Sequence, residues 1–193
     1  TNFANDYYDA VKGADTDDRE GFTRVTQSGL ISPTSVKRAA YLTFGAAVLV
    51  GTTLVYVGGL PILIVGLLSV AAGYAYTGGP YPLGYHGLGD VFVFVFFGVV
   101  AVTGTYYVQA AAVLSAPFPL TIPPGTLPAV AVLASLPVAA LSTNILVVNN
   151  VRDMETDART GKRTLAVRLG YRWSRAQYVA LLALAYLVPP ALW

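Results

Sequence analysis

Two short segments of this 193-residue chain combine aspartate with asparagine at helical spacing. Residues 5–9 read NDYYD, and residues 149–157 read NNVRDMETD. Their aspartates are spaced i, i+3 in the first segment and i, i+4 in the second, which places each pair on one face of a helix. Like charges at that spacing repel unless a cation lies between them, and such oxygen ligands suit Mg²⁺ bound together with substrate phosphates. The candidate metal-binding and catalytic carboxylates are Asp6, Asp9, Asp153 and Asp157.

Basic side chains follow both acidic segments, and carboxylates with a metal and nearby Lys or Arg form a site for a diphosphate. An alternative is that each acidic segment is only a solvated helix end. The presence of two such segments, each with an Asn-x-x-x-Asp pattern, favours a site. Besides the carboxylates, the candidate substrate-binding residues are Asn5, Lys12, Arg19, Arg24, Asn149, Asn150, Arg152, Lys162 and Arg163.

The elements that carry these residues are predicted from the distribution of charge. All twelve Lys and Arg lie within residues 12–38 and 152–175, and Asp90 is the only formal charge between Ala39 and Val151. A charge at the centre of a membrane helix costs roughly 2.5–3.5 kcal/mol on insertion scales. The sequence therefore predicts an all-α, polytopic transmembrane helical bundle. Its spans are expected at about residues 36–56, 61–76, 90–114, 129–149 and 177–193.

The same count of spans predicts the topology. Four spans separate the two acidic segments, so both should face one compartment, and the positive-inside rule makes it the cytoplasm. The loops at 58–60 and 115–128, which contain no Lys or Arg, would lie outside. The neutral, Gly-rich loop at 78–89 would also face the cytoplasm and cover a ligand, or form a tight turn between helices. Asp90, which follows it, is expected to cap a helix N-terminus.

A diphosphate site in a membrane protein indicates a lipid diphosphate, because Mg²⁺ and basic residues stabilise the leaving group when the allylic C–O bond breaks. The net charge of +2 provides no electrostatic footprint for nucleic acid, and no nucleic acid partner is expected.

Two longer motifs give a resemblance to a known family. Residues 76–90 read YTGGPYPLGYHGLGD, and residues 149–170 continue from NNVRD to GKRTLAVRLG. With NDYYD, they make the chain resemble the UbiA superfamily of intramembrane prenyltransferases, and most closely the branch that prenylates 1,4-dihydroxy-2-naphthoate. Gly13 stands where the family pattern has its last Asp, with Asp15 two residues further on. Family members have nine transmembrane helices, so the resemblance implies that residues 1–193 are one such domain, truncated at both ends.

The resemblance also implies a reaction. Mg²⁺ on the four carboxylates, supported by Asn5 and Asn149, would bind a polyprenyl diphosphate, and the basic residues would contact its phosphates. The prenyl group would pass to 1,4-dihydroxy-2-naphthoate with decarboxylation, which gives demethylmenaquinone in menaquinone biosynthesis at the cell membrane. The loop residues expected beside the aromatic acceptor are Tyr76, Gly79, Pro80 and Tyr85.

Three alternatives remain open at this stage. A UbiA-type enzyme with another acceptor, such as 4-hydroxybenzoate, homogentisate, haem or a chlorophyllide, would keep the fold. A CDP-alcohol phosphotransferase also uses clustered Asp, but its Asp-Gly-x-x-Ala-Arg pattern is absent. A transporter would place its carboxylates near the bilayer midplane, whereas these lie at the ends of predicted spans.

Overall fold

The computed structural model describes residues 1–13 and 24–192, so Asp15 and Arg19 lie outside the described residues. Within those ranges the regular structure is helical. Three helices are long and apolar enough to cross a membrane, namely Pro33–Ala75, Gly89–Leu114 and Ala129–Arg152. The chain is thus an all-α membrane bundle, as its charge distribution predicts. The helices are α1 (Asn2–Val11), α2 (Pro33–Ala75), α3 (Gly89–Leu114), α4 (Ala129–Arg152), α5 (Met154–Arg159) and α6 (Leu165–Ala191).

Helix α2 contains two arms, because its backbone is not helical at Gly59 (φ 66°, ψ −151°) and Pro61 follows. A straight helix of its 43 residues would be about 64 Å long, twice the thickness of the hydrocarbon core. The break is held from two sides. Tyr107 donates its hydroxyl to the carbonyl of Gly58 (2.8 Å), and the amide of Leu60 donates to the carbonyl of Pro119 (3.0 Å).

Helices α3 and α4 pack closely because small residues meet at their interface. A Cβ atom built on Gly98 would lie 2.1 Å from the Cβ of Ala139, so only glycine fits there. Gly98 belongs to a π-helical stretch, Phe94–Val100, inside α3. On α4, Ser135, Ala139 and Ala140 are fully buried. Close approach through small residues is the usual basis of helix packing in lipid.

Helix α6 begins well before the span predicted at residues 177–193. Thr164 caps its first turn by accepting a hydrogen bond from the amide of Val167, and its backbone breaks at Gly170 (φ 78°). The side-chain amide of Asn144 donates to the carbonyl of Tyr178 (3.2 Å), which joins α4 to the second part of α6. Residues 177–191 of the predicted fifth span lie in α6. The span stays a prediction, since α6 is not one of the three apolar helices.

The connections place both acidic segments at one end of the bundle. Helix α3 starts beside the 76–88 loop and runs to the loop at 115–128, and α4 returns from that loop to Arg152. The turn of α2 at Gly59 contacts the 115–128 loop. The first and last residues of α2 therefore lie at the other end of the bundle, where the acidic segments also lie. We call this end the site end.

The arrangement predicts opposite labelling of two single cysteines. The chain has no native cysteine, Thr121 is exposed in the 115–128 loop, and Glu155 is exposed at the site end. In sealed membrane vesicles, a membrane-impermeant maleimide should label Thr121→Cys and Glu155→Cys from different sides. Labelling of both cysteines from the same side would contradict this topology.

The break in α2 predicts a destabilised Gly59→Ala variant. The backbone of Gly59 occupies a region essentially reserved for glycine, and strain there costs roughly 1–3 kcal/mol. In addition, a Cβ would lie 1.8 Å from the carbonyl oxygen of Pro119. The thermal unfolding midpoint of the full-length protein in detergent should fall clearly. Gly45→Ala is the matched control on the same helix, because a Cβ added to Gly45 would have no atom within 4 Å. Its midpoint should be unchanged or slightly higher, and an equal loss in both variants would contradict the argument.

Candidate active site

A cavity of about 280 Å³ at the site end is lined by residues from both acidic segments. Helix α1, the end of α4, the start of α3 and the 76–88 loop surround it. Nine of the residues singled out from the sequence line this cavity. They are Asn5, Asp9, Arg24, Tyr76, Asn149, Asn150, Arg152, Asp153 and Lys162.

The two carboxylates of α1 are almost completely buried. Asp6 is 6% exposed and Asp9 is 4% exposed. Asp9 accepts a hydrogen bond from the hydroxyl of Tyr85 (2.8 Å), and Arg24 Nη2 lies 3.7 Å from it. The Oδ1 atom of Asp6, by contrast, is buried without a hydrogen-bond partner in the described structure. Burying a carboxylate oxygen without a partner is costly, so this atom fits a site that receives a cation.

The second acidic segment is not one continuous helix, and here the expectation of an unbroken helical face is wrong. Helix α4 ends at Arg152, and α5 begins at Met154, with Asp153 between them. One turn of helical hydrogen bonding survives, because the amide of Asp157 donates to the carbonyl of Asp153 (2.8 Å). Arg152 Nε and Nη2 each donate to a carboxylate oxygen of Asp153 at 2.7 Å.

The two acidic segments line one cavity, and Asp157 lies close enough to the first segment for its titration to depend on it. Burial raises the pKa of Asp157 above its usual value, and the ammonium of Lys162, 3.7 Å away, opposes that shift. The carboxylates of Asp153 and of Asp9, on the other segment, raise the pKa further. Carboxylates that destabilise one another across a gap are a suitable environment for a divalent cation.

The described residues contain no group of three or more His, Asp or Glu close enough to form a complete metal cluster. Mg²⁺ typically takes one or two protein carboxylates, and water and substrate phosphates supply its other ligands. The donor set at the site end therefore fits a metal that is bound together with a phosphorylated substrate.

Tyr85 connects the 76–88 loop to both charged segments. The ammonium groups of Lys12 and Lys162 both lie over its ring, 4.8 Å and 5.5 Å from the ring centroid. Its hydroxyl binds Asp9, and its carbonyl accepts a hydrogen bond from the amide of Arg163 (2.9 Å). Burial lowers the pKa of Lys12, and Asp9 partly offsets that shift. A single residue of a short 3₁₀ turn, Leu83–His86, thus contacts both ends of the site.

The rest of the loop packs onto α1. Thr77 donates its hydroxyl to the side-chain oxygen of Asn5 (2.9 Å), and Lys12 Nζ donates to the carbonyl of Thr77. Thr77 is 2% exposed, so the loop covers this side of the cavity instead of extending into solvent.

Seven of the described residues singled out from the sequence do not line the cavity, namely Asp6, Lys12, Gly79, Pro80, Tyr85, Asp157 and Arg163. Gly79 and Pro80 are exposed in the loop, and the side chain of Arg163 also lies toward solvent. His86 stacks on Tyr81 with ring centroids 3.6 Å apart, and its Nδ1 lies 2.8 Å from the carbonyl of Pro82.

Asp90 does not cap α3, and the expectation of an N-cap is wrong. The N-cap position is Leu88, without a side-chain hydrogen bond, and Asp90 is the second residue of the helix. Its carboxylate lines the cavity and accepts hydrogen bonds from Gln177 on α6 (3.0 Å) and Asn150 on α4 (3.5 Å). In the sequence, Asp90 stands out because it is the one formal charge in the apolar region from Ala39 to Val151. Thr77 and Gln177 gave no such signal.

The polar cavity continues into apolar ones. A second cavity, of about 360 Å³, shares Thr1, Tyr76, Val93 and Phe97 with the first. It is lined further by Phe92, Phe96 and small residues of the second arm of α2. A third, of about 810 Å³, meets the second at Ser69 and Ala101 and lies between the arms of α2 and α3.

Comparison with known proteins places this architecture in a family. The model of the UbiA prenyltransferase family matches residues 1–193. The chain is 42% identical over 184 residues to a 1,4-dihydroxy-2-naphthoate octaprenyltransferase of Mycobacterium tuberculosis, covering 95% of the chain and 58% of that protein. It is also 42% identical over 188 residues to the Escherichia coli protein of the same name, covering 94% of the chain and 56% of that protein.

A more distant relative is the human UbiA prenyltransferase domain-containing protein 1, which is 32% identical over 193 residues, covering 97% of the chain and 51% of that protein. No solved structure matches the chain at a significant level. The chain spans little more than half the length of these three relatives. A family match over the whole chain, together with identities above 40%, shows that the chain belongs to the UbiA prenyltransferase family.

Proposed function

We propose that the protein containing this chain transfers a polyprenyl group from an allylic polyprenyl diphosphate to 1,4-dihydroxy-2-naphthoate, with loss of the acceptor's carboxylate as CO₂. The direct product is the quinol form of demethylmenaquinone, and a separate two-electron oxidation gives the quinone. The observation that carries the proposal is one cavity lined by both acidic segments and continuous with apolar cavities. The acceptor follows from the names of the relatives that are 42% identical to the chain.

The charged part of the cavity suits a diphosphate. Arg24, Arg152 and Lys162 line it, and each lies beside an Asp. The residues that would hold Mg²⁺ are Asp6, Asp9, Asp153 and Asp157. When bound, the metal ion would neutralise charge that develops on the departing diphosphate. The basic side chains would bind the phosphate oxygens, and rearrangement of their present carboxylate contacts would accompany substrate binding.

The apolar cavities suit a polyprenyl chain. Their walls are almost entirely aliphatic and aromatic side chains, and they lead from Tyr76 and Phe97 toward the arms of α2. A long apolar tail gains free energy by leaving water for such a surface. The diphosphate would thus lie at the site end and the tail within the bundle, with the allylic carbon near the aromatic residues between them.

The chain's residues contribute binding, orientation and exclusion of water. The allylic C–O bond breaks, its electron pair leaves with the diphosphate, and the electron-rich ring bonds to the allylic carbon. The ring's carboxylate departs as CO₂. Tyr76 and Phe97 present ring faces that can stabilise positive charge on the allylic group. The part of the 76–88 loop that is buried against α1, around Thr77, would keep water from reacting with that group in place of the acceptor.

The site end is proposed to face the cytoplasm. In the part of the chain that the structure describes, the Lys and Arg residues belong to the segments at or next to that end, and the 115–128 loop at the other end has none. This asymmetry is the positive-inside pattern of multi-pass proteins of the cell membrane.

The test of the function uses membranes that contain the full-length protein. A labelled polyprenyl diphosphate and 1,4-dihydroxy-2-naphthoate are supplied with Mg²⁺ or with EDTA, and lipid product and CO₂ are followed together. We expect metal-dependent formation of the prenylated quinol, recovered as the quinone after oxidation in air, together with equimolar CO₂. Turnover with 4-hydroxybenzoate or homogentisate alone would contradict the proposed acceptor. If none of the aromatic acceptors supports turnover, the proposed reaction is contradicted.

The carboxylates give a second prediction. Asp9→Asn and Asp153→Asn should each lower kcat by about 100-fold or more and weaken the response to Mg²⁺. Replacing a residue that only hydrogen-bonds to a metal ligand already costs roughly 10- to 100-fold in activity, and replacing the ligand itself should cost more. The matched control is Glu155→Gln, an acid on α5 whose side chain is 85% exposed. Its activity should stay within about twofold of the wild type. Unchanged rate and Mg²⁺ dependence in both Asp variants would refute the assignment.

A further inference from the structure

Asp90 is a buried carboxylate that the proposed binding of metal and diphosphate does not use. It is 5% exposed, and it is the only charged residue from Ala39 to Val151. An ionisable side chain at the start of a membrane helix is costly and usually has a function or a partner. Within the described ranges, no Lys or Arg forms an ion pair with it. A counter-charge does not explain its position.

The Asp90 carboxylate has room for a further hydrogen-bond donor. Gln177 Nε2 donates to Oδ1 at 3.0 Å, while Asn150 Nδ2 approaches Oδ2 only at 3.5 Å, the limit for a hydrogen bond. A carboxylate has about four lone-pair positions for donors. Asp90 can therefore accept a further donor from a molecule in the cavity that it lines.

Apart from Asn150, which donates to it, the cavity wall around Asp90 contains aromatic and aliphatic residues. They include Tyr76, Val93, Phe97 and Leu146. A negative charge among such residues repels a diphosphate but attracts a polar hydrogen. The ligand chemistry that suits this part of the cavity is an aromatic ring bearing a hydroxyl group. The basic residues that suit a diphosphate come from other segments, around Arg24, Arg152 and Lys162.

We propose that Asp90 binds the aromatic acceptor by accepting a hydrogen bond from one of its ring hydroxyls, and that it thereby selects acceptors with a free hydroxyl. This inference rests on the proposed function and adds a specificity-determining residue to it. A hydrogen bond from a phenolic hydroxyl to a carboxylate is short and strong, and it increases electron density on the ring that must act as nucleophile. Gln177 is a positioning residue, because its donation to Oδ1 fixes the carboxylate.

The test is steady-state kinetics of the full-length Asp90→Asn variant with both substrates varied. Asn keeps the size of the side chain and an oxygen that accepts from Gln177, but it lacks the charge. We expect kcat/KM for the naphthoate to fall by roughly 10-fold or more, as the loss of a charge-assisted hydrogen bond implies. KM for the polyprenyl diphosphate should change by less than about twofold. Equal losses for both substrates would indicate a structural role and overturn the proposal.

A mono-O-methyl ether of the acceptor separates recognition from structure. The wild-type protein should prefer the free diol over the ether, and Asp90→Asn should lose most of that preference. Gln177→Leu is the comparison: it removes a tether of the carboxylate but keeps the charge, so the preference should largely remain. A preference that is the same in the wild type and in Asp90→Asn would overturn the proposal.

Three further outcomes of these experiments can be distinguished from one another. If Asp90→Asn does not accumulate as folded protein, Asp90→Glu retains the charge and must retain the preference for the free hydroxyl; loss of that preference overturns the proposal. If the wild-type protein uses a different phenolic acceptor, the proposed acceptor fails, and the same comparison with that acceptor and its methyl ether decides the role of Asp90. A wild-type protein that uses no hydroxylated aromatic acceptor overturns both inferences.

Discussion

The exclusion of charge from lipid is the constraint on which the rest of this structure depends. Because 113 consecutive residues from Ala39 to Val151 contain one formal charge, nearly every carboxylate, Lys and Arg is confined to the segments at their two ends. The turn of α2 at Gly59 and the antiparallel course of α3 and α4 bring those segments to the same end of the bundle. Because the apolar helices exclude charged residues, the acidic and basic groups of the site are concentrated at one end of the bundle.

The concentrated charges then need a structure that holds them apart from one another and from water. The neutral 76–88 loop provides it. The ring of Tyr85 contacts the ammonium groups of both Lys12 and Lys162, while its hydroxyl donates a hydrogen bond to the carboxylate of Asp9. A loop with its own Lys or Arg would compete for the same carboxylates. Neutrality of the loop therefore preserves the charge balance of the site.

The sequence was sufficient for features that depend on composition and short-range spacing. It predicted the helical class, the two acidic segments and nine of the residues that line the cavity. It was insufficient where a long-range contact decides the conformation. Residue spacing alone did not show that the chain breaks at Asp153 between α4 and α5, or that Gly170 divides α6. The hydrogen bond from Gln177 to Asp90 joins residues 87 positions apart, and a local rule for helix caps pointed to the wrong partner.

The order of environments along the cavities determines how two substrates must approach each other. Basic and acidic groups lie at the site end, a lone carboxylate among aromatic residues comes next, and aliphatic walls follow between the arms of α2 and α3. A molecule with a diphosphate head and an apolar tail fits this gradient in one orientation only, because the reverse would place phosphates against aliphatic side chains. Its allylic carbon, which joins head to tail, then lies in the intermediate zone. The proposed acceptor combines an apolar ring system with hydroxyl and carboxylate groups on one edge. Such a molecule suits the boundary between the charged zone and the apolar zone, so the gradient brings it to the same place.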